Sequence, residues 1–538
     1  MRILTSQFLP FKIRTGDVEY RPVSAMALPE VTELALPRAD FQGAAYQFLI
    51  GLLQTAYAPV DIDEWMDRYQ SPPSPEALEQ AFEGFIASFE LEGDGPLFMQ
   101  DLDPLDKESP IPSSSLLIDA PGASTIKNNT DHFVKAGRAE AFCPNCAAMA
   151  LFTLQINAPS GGKGYRTGLR GGGPLTTLIL PSEPDASLWK KLWLNVLDKS
   201  HWPYPEPNPK SFELFPWMET TRVSDKAQKT FASDVHPLHQ FWAMPRRFRL
   251  IFEDHNCRCD LCGRDSERVC RTVKARNYGN NYDGPWTHPL TPYRRDPKKP
   301  TEPQLSVKGQ PGGIGYRHWE ALVLRDAEGS GNLPAEVVRD YARKVDEARH
   351  DNLSLPRQAR LWVFGYDMDN MKPRAWYGTQ LPLLAVPQPQ QDRLLDWVRD
   401  LVGLSRDTAW QLRKQVKEAW FSRPADVKGD TDFIESRFWE LTEHEFYSLL
   451  SLLGERIQDG TIKRLPPDLA ARWYQHVRQQ AVAVFDELAL SAPAEALDMK
   501  RITGARNRFL YQLKKGKTAK KFRKQAGLED APLEQESA

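Results

Sequence analysis

Residues Ala141–Thr177 read AFCPNCAAMALFTLQINAPSGGKGYRTGLRGGGPLTT. A Cys-x-x-Cys knuckle is followed by a short apolar helix. Then come seven glycines in the thirteen positions from Gly161 to Gly173, with Lys163, Arg166 and Arg170 between them. No ordinary packing role needs all three parts in succession. Glycines let backbone N–H groups approach a partner closely, and interleaved cations select an anionic partner. A metal knuckle beside a flexible basic loop predicts a recognition site more than an active site.

The knuckle has a counterpart. Cys143-x-x-Cys146 and Cys259-x-x-Cys262 each place two thiolates on a tight turn, and together they complete a tetrahedral four-cysteine zinc site. Their separation of 113 positions (259 − 146) far exceeds a compact zinc ribbon, so the ion would staple two distant segments. Four soft ligands leave no open coordination position, which makes the zinc structural. The alternative is two pairs of reduced, buried thiols. Cys257 and Cys270 are expected bystanders, although Cys257 could compete as a ligand. Neither pair has the strand–helix context of a redox Cys-x-x-Cys.

The chain has 538 residues, too many for one core, so two to four domains are expected. Its 41% hydrophobic content with 15 Trp argues for a folded chain, and its net charge of −2 leaves nucleic-acid binding to local asymmetry. No cleavable signal is expected at the opening, because the apolar run after Arg2 is broken by Thr5, Ser6, Gln7 and Pro10. Gly43–Val60 is the most apolar stretch, but Gln47, Gln54 and Pro59 make it a buried helix and not a membrane span. The cysteine usage does not fit a secreted disulfide framework, so the cytoplasm is expected.

The predicted fold is α+β: a mixed α/β domain over 1–386, then an all-α four-helix bundle over 387–525 and a disordered acidic tail over 526–538. Loose alternation through residue 35 reads as short strands. Phe41, Ala45, Phe48, Leu49, Leu52 and Leu53 repeat at helical spacing. A second amphipathic helix is predicted over 75–90, strands at Leu175–Leu180 and Leu361–Phe364, and a Trp-containing helix at Ser187–Leu197. Gly365–Trp376 reads as a polar turn. Beyond a Pro387–Gln391 linker, helical periods occupy 391–421, 430–457, 466–490 and 493–524, with Leu469, Trp473, Val477, Ala481, Val484 and Leu488 in one stripe. Residues 500–524 carry eleven Lys/Arg and no Asp or Glu, which reads either as a solvated face or as nucleic-acid contact.

Catalytic signatures fail one by one. His318-Trp-Glu320 has no Cys-x-x-Cys downstream for a zinc deaminase, and His444-Glu445 lacks a second His. Neither Gly161–Gly173 nor Gly312-Gly-Ile-Gly315 ends in G-K-[S/T], and no G-x-S-x-G elbow occurs. No enzyme is predicted.

Cys143-Pro-Asn-Cys146, Gly168-Leu-Arg-Gly-Gly172 with Pro174 and Thr176-Thr177, Cys259-x-x-Cys262-Gly263, Trp286 with His288-Pro289, and Gly365-Tyr366-Asp-Met-Asp-Asn370 occur in this order. As an ordered set, from about residue 40 to 376, they resemble the CasA family. CasA proteins are the large subunit of type I-E Cascade, an RNA-guided CRISPR surveillance complex of antiviral defence. The resemblance implies recognition of a protospacer-adjacent motif (PAM) in double-stranded target DNA, read from the minor groove. It also implies help in opening the duplex into an R-loop, assembly with the other Cascade subunits and the CRISPR RNA, and a docking surface for the helicase-nuclease. Residue by residue, it places the motif-reading loop at Gly161, Gly162, Lys163 and Gly164, and a basic reader at Lys274, Arg276 or Asn277. The strand-opening wedge falls at Asn370, Met371 and Lys372, and the loop that meets the guide complex at Phe133, Val134 and Lys135. Two positions depart from the best-known members: Asn370 and Met371 stand where Gln is usual, and Lys163 where glycine is common. The rival readings are a ribonucleoprotein scaffold with no direct DNA contact, and a zinc-containing nucleic-acid-modifying enzyme.

Overall fold

Leu9–Ile13 (β1), Val18–Arg21 (β2) and Val31–Leu34 (β3) form an antiparallel sheet in the order β2-β1-β3. Phe8, Leu9 and Phe11 are buried in the same core as the helix α1 (Ala39–Ala56). In the computed structural model the described residues are all but 130–134, 136, 300, 325–330, 351–354, 357, 370–371, 387, 427, 492–496 and 529–538. Gln47 and Gln54 of α1 are core groups with dedicated partners. Gln54 Nε2 donates to Leu197 O (3.0 Å) and Gln54 Oε1 accepts from Leu197 N (2.8 Å). Phe48, on the same helix, meets Phe8, Phe89, Phe98, Phe152 and Trp242 edge-on at 5.6–6.0 Å. Such pairs add about 0.5–1.5 kcal/mol each to the burial itself.

The helix α2 (Pro144–Asn157) packs on α1, and almost all of it is buried. The short strand β4 (Thr176–Leu180) follows it. Beside α2 runs an antiparallel hairpin of two twelve-residue strands, β5 (Arg247–Arg258) and β6 (Asp265–Arg276), with Arg247 opposite Arg276 and Arg258 opposite Asp265. The sequence pattern predicts no strand here, because charge on both faces hides the alternation. Cross-strand ion pairs such as Arg268–Asp254 (2.5 Å) and Arg271–Glu253 (3.0 Å) occupy those faces. The helix α3 (Glu336–His350) also escapes the sequence reading, its apolar face of Val338, Tyr341 and Val345 being diluted by charge.

A third sheet orders β8 (Lys372–Leu384), β7 (Gln358–Asp369) and β4. The expected polar turn over Gly365–Trp376 is therefore mostly strand, with only Asn370 and Met371 between the two strands. Aromatic residues bind them across the ladder: Tyr366 meets Trp376 at 4.8 Å and Phe364 meets Trp376 at 5.7 Å. The helix expected over 75–90 is α-helical only at Pro75–Phe82 and tightens to a 3-10 turn over Glu83–Phe89.

By contacts the chain divides into two units, Met1–Gln310 with Leu333–Gln380, and Pro311–Asn332 with Leu381–Ala538. The second contains α4 (Gln388–Trp420), α5 (Asp432–Arg456), α6 (Pro467–Ala489), α7 (Met499–Lys515) and α8 (Lys517–Gln525). Helix α4 touches each of the others. Leu469, Trp473, Val477, Ala481 and Val484 are buried, and Leu488 is half-buried. Trp473 Nε1 donates to Leu401 O (3.0 Å) and Trp420 Nε1 to Leu488 O (2.9 Å), so these two indoles pack without stranding a donor, whereas the buried Nε1 groups of Trp397 and Trp439 find no hydrogen-bond partner among the described residues. Tyr316, from the 311–332 excursion, stacks on Phe446 at 4.4 Å and bonds Thr442 at 2.8 Å. The last segment is two helices, not one. Gly516 is extended, with a ψ of 158°, and a Cβ there would stand 2.4 Å from Gln512 O. Among the described residues, no helix is long and apolar enough to cross a membrane.

Candidate metal centre and nucleic-acid interface

Cys143 is the N-cap of α2, with Pro144 at the first helical position, so Cys146 lies one turn in on the same end. Cys259 and Cys262 form the tip of the β5–β6 hairpin. Cys259 N donates to Arg264 O (2.8 Å), Gly263 N donates to Cys259 O (2.9 Å), and Gly263 takes a φ of +71°. Asp260 ties the two turns together. Its Oδ2 accepts from Glu140 N (2.7 Å) and Ala141 N (2.8 Å), and its own N–H donates to Ala141 O (2.9 Å). Phe142 exchanges backbone hydrogen bonds with Cys270 at 2.8 and 3.1 Å.

The four sulfurs consequently lie within 4.8 Å of one another, with Cys143 and Cys262 at 3.8 Å. A tetrahedron with metal–sulfur bonds of about 2.3 Å has edges of about 3.8 Å, so this donor set fits one metal ion. Without a cation the thiols are in conflict. Cys259 is held far below the ordinary thiol range by hydrogen bonds from Cys143, Cys146 and Cys262, while Cys146 is pushed far above it, first by its bond to Cys143. A divalent ion held by the four sulfurs would replace the shared protons and remove the conflict. Cys257 pairs opposite Ser266 in the ladder and Cys270 Sγ donates to Thr272 O (3.4 Å), so both stand outside the cluster.

The other end of α2 leads into the glycine stretch, which doubles back on it. Gly168 N donates to Ala158 O (2.9 Å), and a Cβ on Gly172 would stand 2.8 Å from Pro159 Cα. Two of the three cations expected to face an anion are used up inside the chain. Arg170 is buried: Nη1 donates to Thr176 Oγ1 (3.1 Å) and Thr291 Oγ1 (3.0 Å), and Nη2 to Gln47 Oε1 (2.8 Å). Burial lowers its pKa to about 10, so it remains charged at neutral pH. Arg166 donates to Ser224 Oγ and Ser224 O, both at 2.7 Å, with Tyr278 under its guanidinium at 5.7 Å. A basic residue on a glycine loop points inward whenever the folded-back loop offers it carbonyls and hydroxyls, and spacing does not reveal that. Replacing Arg170 with Met should therefore cost about 2–4 kcal/mol of stability, because Gln47, Thr176 and Thr291 lose a buried partner. Chemical denaturation checks this; an unchanged midpoint with weakened DNA binding would return Arg170 to the anion-facing role.

Lys163 is different. It is exposed, and among the described residues its ammonium has no ion pair or hydrogen bond. Its backbone is held: Lys163 O accepts from Asn277 Nδ2 (2.9 Å), and the next carbonyl, Gly164 O, accepts from Tyr278 N (2.8 Å). Gly164 has a φ of +79°, and a Cβ on it would stand 2.8 Å from Asn277 Cβ, so only glycine permits this approach. The fold thus brings Gly161–Gly164 onto the end of β6, where the sequence places the candidate readers. Lys274 and Arg276 are already paired there, Lys274 with Asp106 (2.9 Å) and Arg276 with Glu108 (2.7 Å) and Asp103 (2.5 Å).

Arg246 is a contributor that sequence reasoning missed. It is 6% exposed, and its guanidinium lies 4.5 Å from the Tyr165 ring and donates to Pro159 O. A Cβ on Gly161 would be 3.3 Å from its Nη1. Burial lowers its pKa to about 10. Its Nε and Nη1 find no hydrogen-bond partner among the described residues. The only signal in the sequence is its place in the basic run Arg246-Arg-Phe-Arg249.

Of the expected wedge, Lys372 opens β8 and is exposed, whereas Asn370 and Met371 lie outside the described residues. Phe133 and Val134 also lie outside them, and Lys135 is exposed. The far end of the glycine stretch reaches β7, just before the expected wedge: a Cβ on Gly173 would be 2.7 Å from Met368 Cγ.

With that geometry in place, the sequence profile of CRISPR-associated protein Cse1 matches residues 3–484. The chain belongs to the Cse1 family. Solved Cse1 structures share its fold. Cse1 from Thermobifida fusca superposes with a TM-score of 0.70 at 17% identity, covering 98% of each chain. CasA (Cse1) from Thermus thermophilus gives 0.66 at 16%, covering 95% of this chain and 99% of its own. A chain of a structure described as a CRISPR RNA-guided surveillance complex gives 0.64 at 15%, covering 95% and 99%. Identities this low speak for the fold alone, so the roles of individual Cse1 residues rest on their geometry in this chain.

Proposed function

We propose that this Cse1 chain is the large, CasA-type subunit of an RNA-guided Cascade complex, that it recognises the PAM in double-stranded DNA and helps open the target, and that it docks the helicase-nuclease. The observation that carries the DNA reading is Lys163: an exposed cation, unpaired among the described residues, at the tip of a glycine loop whose carbonyls are fixed by Asn277 and Tyr278. Glycine on both sides keeps Cβ atoms out of the narrow minor groove. Asn277 is the best placed of the three candidate readers, since Lys274 and Arg276 are neutralised by the 103–108 segment.

The four-cysteine cluster, loaded with structural zinc, fits this reading as the frame of the site. It joins one end of α2 to the tip of the β5–β6 hairpin, while the other end of α2 enters the glycine stretch and the far end of β6 reaches Asn277. Wedge residues Asn370, Met371 and Lys372 would insert beside the motif, at an unstacking cost of a few kcal/mol offset by backbone contacts. Phe133, Val134 and Lys135 would meet the guide complex. The subunit acts by binding and not by catalysis, in the cytoplasm, with no membrane contact. With a net charge of −2, its isolated affinity should be weak and salt-sensitive, its partners supplying most of the cationic surface.

The test is selection from a motif library by the reconstituted complex. Enrichment of a short motif that depends on Lys163 and Asn277, and failure of target opening when Asn370, Met371 and Lys372 are replaced with Ala, is the expected result. Enrichment unchanged by all of these replacements would overturn it. The paired state of Lys274 and Arg276 favours one second reading, an interaction scaffold without direct DNA contact. Crosslinking of DNA to Lys163 and Lys372 separates the two.

A further inference from the structure

Helix α4 presents an aromatic and basic stripe to solvent. Trp410, Lys414 and Lys417 follow one another at four- and three-residue steps, which puts them on one helix face, and Phe421 lies one residue past the helix end, where its N–H donates to Lys417 O (3.0 Å). Leu412, Val416 and Ala419 on the opposite face are buried in the helical core. Trp410 is 49% exposed and Phe421, just beyond the helix end, 38% exposed, an unusual position for two large rings beside a well-packed core. Between this stripe and α7 lies a cavity of about 660 Å³, closed on the far side by Arg501 and Arg508.

Five cations line the cavity against one carboxylate, Glu418. Arg413, Arg501 and Arg508 are engaged within the protein, with Asp432 (2.5 Å), Asp498 (2.9 Å) and Glu418 (2.8 Å) respectively. Lys414 and Lys417 have no ion pair among the described residues, and Lys414 Nζ stands 5.3 Å from the Trp410 ring. An acidic peptide would answer the lysines and leave the indole face without a matched partner. A planar base carrying a phosphate answers both at once, since base stacking uses the ring face and the phosphate takes the ammonium groups.

We propose that this cavity is a nucleotide-binding pocket, in which Trp410 and Phe421 stack a base while Lys414 and Lys417 hold its phosphate. It stands on the helical unit alone and does not depend on the motif-reading assignment. Because the same chemistry is offered by a free nucleotide and by one unstacked nucleotide of a single strand, the probes are dTMP and a fluorescein-labelled dT20. Binding is measured with the full-length protein in a Lys163→Ala background, so that the glycine loop does not contribute. Trp410→Ala should weaken binding about 5- to 100-fold, the loss of one base–aromatic stack, and Trp410→Phe should keep most of the affinity. Lys414→Gln with Lys417→Gln should flatten the salt dependence of dT20 binding by about 0.7 per lysine. Competition by dTMP identifies a mononucleotide site, and binding of dT20 alone identifies a strand site; either supports the pocket. Affinities for both probes unchanged in the Trp410→Ala and double-lysine variants, or displacement by poly-glutamate with no loss on Trp410→Ala, would overturn it. The double-lysine variant, altered only at the surface, decides the matter should Trp410→Ala fail to fold.

Discussion

Replacing Cys146 and Cys259 with serine is expected to abolish metal binding and unfold the α/β unit. Wild-type protein should contain about one zinc per chain by elemental analysis, and the double variant close to none. A structural zinc site is worth about 10–16 kcal/mol of apparent folding energy at pH 7, comparable to the whole stability of a typical domain. The consequence here is specific, because the cluster joins segments whose other ends carry Gly161–Gly164 and Asn277. Loss of the ion should therefore remove motif-dependent DNA binding before it affects the helical unit. Chelation followed by thermal melting, tracked by near-ultraviolet circular dichroism, checks this order. Zinc content below about half an equivalent in wild-type protein would favour four reduced thiols instead, given the affinity expected of four cysteines.

The second large effect is expected at the tip of the glycine loop, where two neighbouring glycines should behave differently. Gly162 has a φ of +96°, yet a Cβ there would meet no atom within 4 Å. Gly162→Ala should cost stability only about 1 kcal/mol, from the left-handed backbone. The added methyl points into open space, where the groove would sit, so motif binding by the complex should fall at least tenfold, about 1.4 kcal/mol. Gly164→Ala carries its methyl into Asn277 and Tyr278, at 2.8 and 3.1 Å, and should displace the loop itself. Lys163→Ala should weaken binding across sequences and reduce the salt slope by about one unit. Gel-shift titration over a salt series reads all three, and equal effects at Gly162 and Gly164 would argue that the loop acts only through its own packing.

Much of this was legible from residue order. Two Cys-x-x-Cys pairs state their chemistry because thiolates on tight turns have few other uses, and the four sulfurs do converge. The stripe of α6 was readable because a buried helix face repeats every three to four residues. The β5–β6 hairpin was not, since strands charged on both faces carry no period-two signal; their ion pairs, across the ladder and to the 103–108 segment, form only once the strands are in place. The turn expected over Gly365–Trp376 failed for a related reason. Polar residues that look like a loop in isolation are held in strands by Tyr366, Phe364 and Trp376, which meet only after pairing.

The cations show the division most plainly. Arg166, Arg170 and Lys163 are equivalent in sequence, three basic residues among seven glycines. What residue order by itself determined was a set of four cysteines able to hold a metal ion, a glycine-rich basic loop and an ordered set of motifs, because each depends on residue type and spacing. Which cation remains for a partner was decided by tertiary structure alone. Gln47, Thr176, Thr291 and Ser224, brought in from distant segments, satisfy two guanidiniums, and Asp103, Asp106 and Glu108 neutralise Lys274 and Arg276, two of the three candidate readers. Charge is a property of a residue, but free charge is a property of its neighbours, and the fold supplies the neighbours.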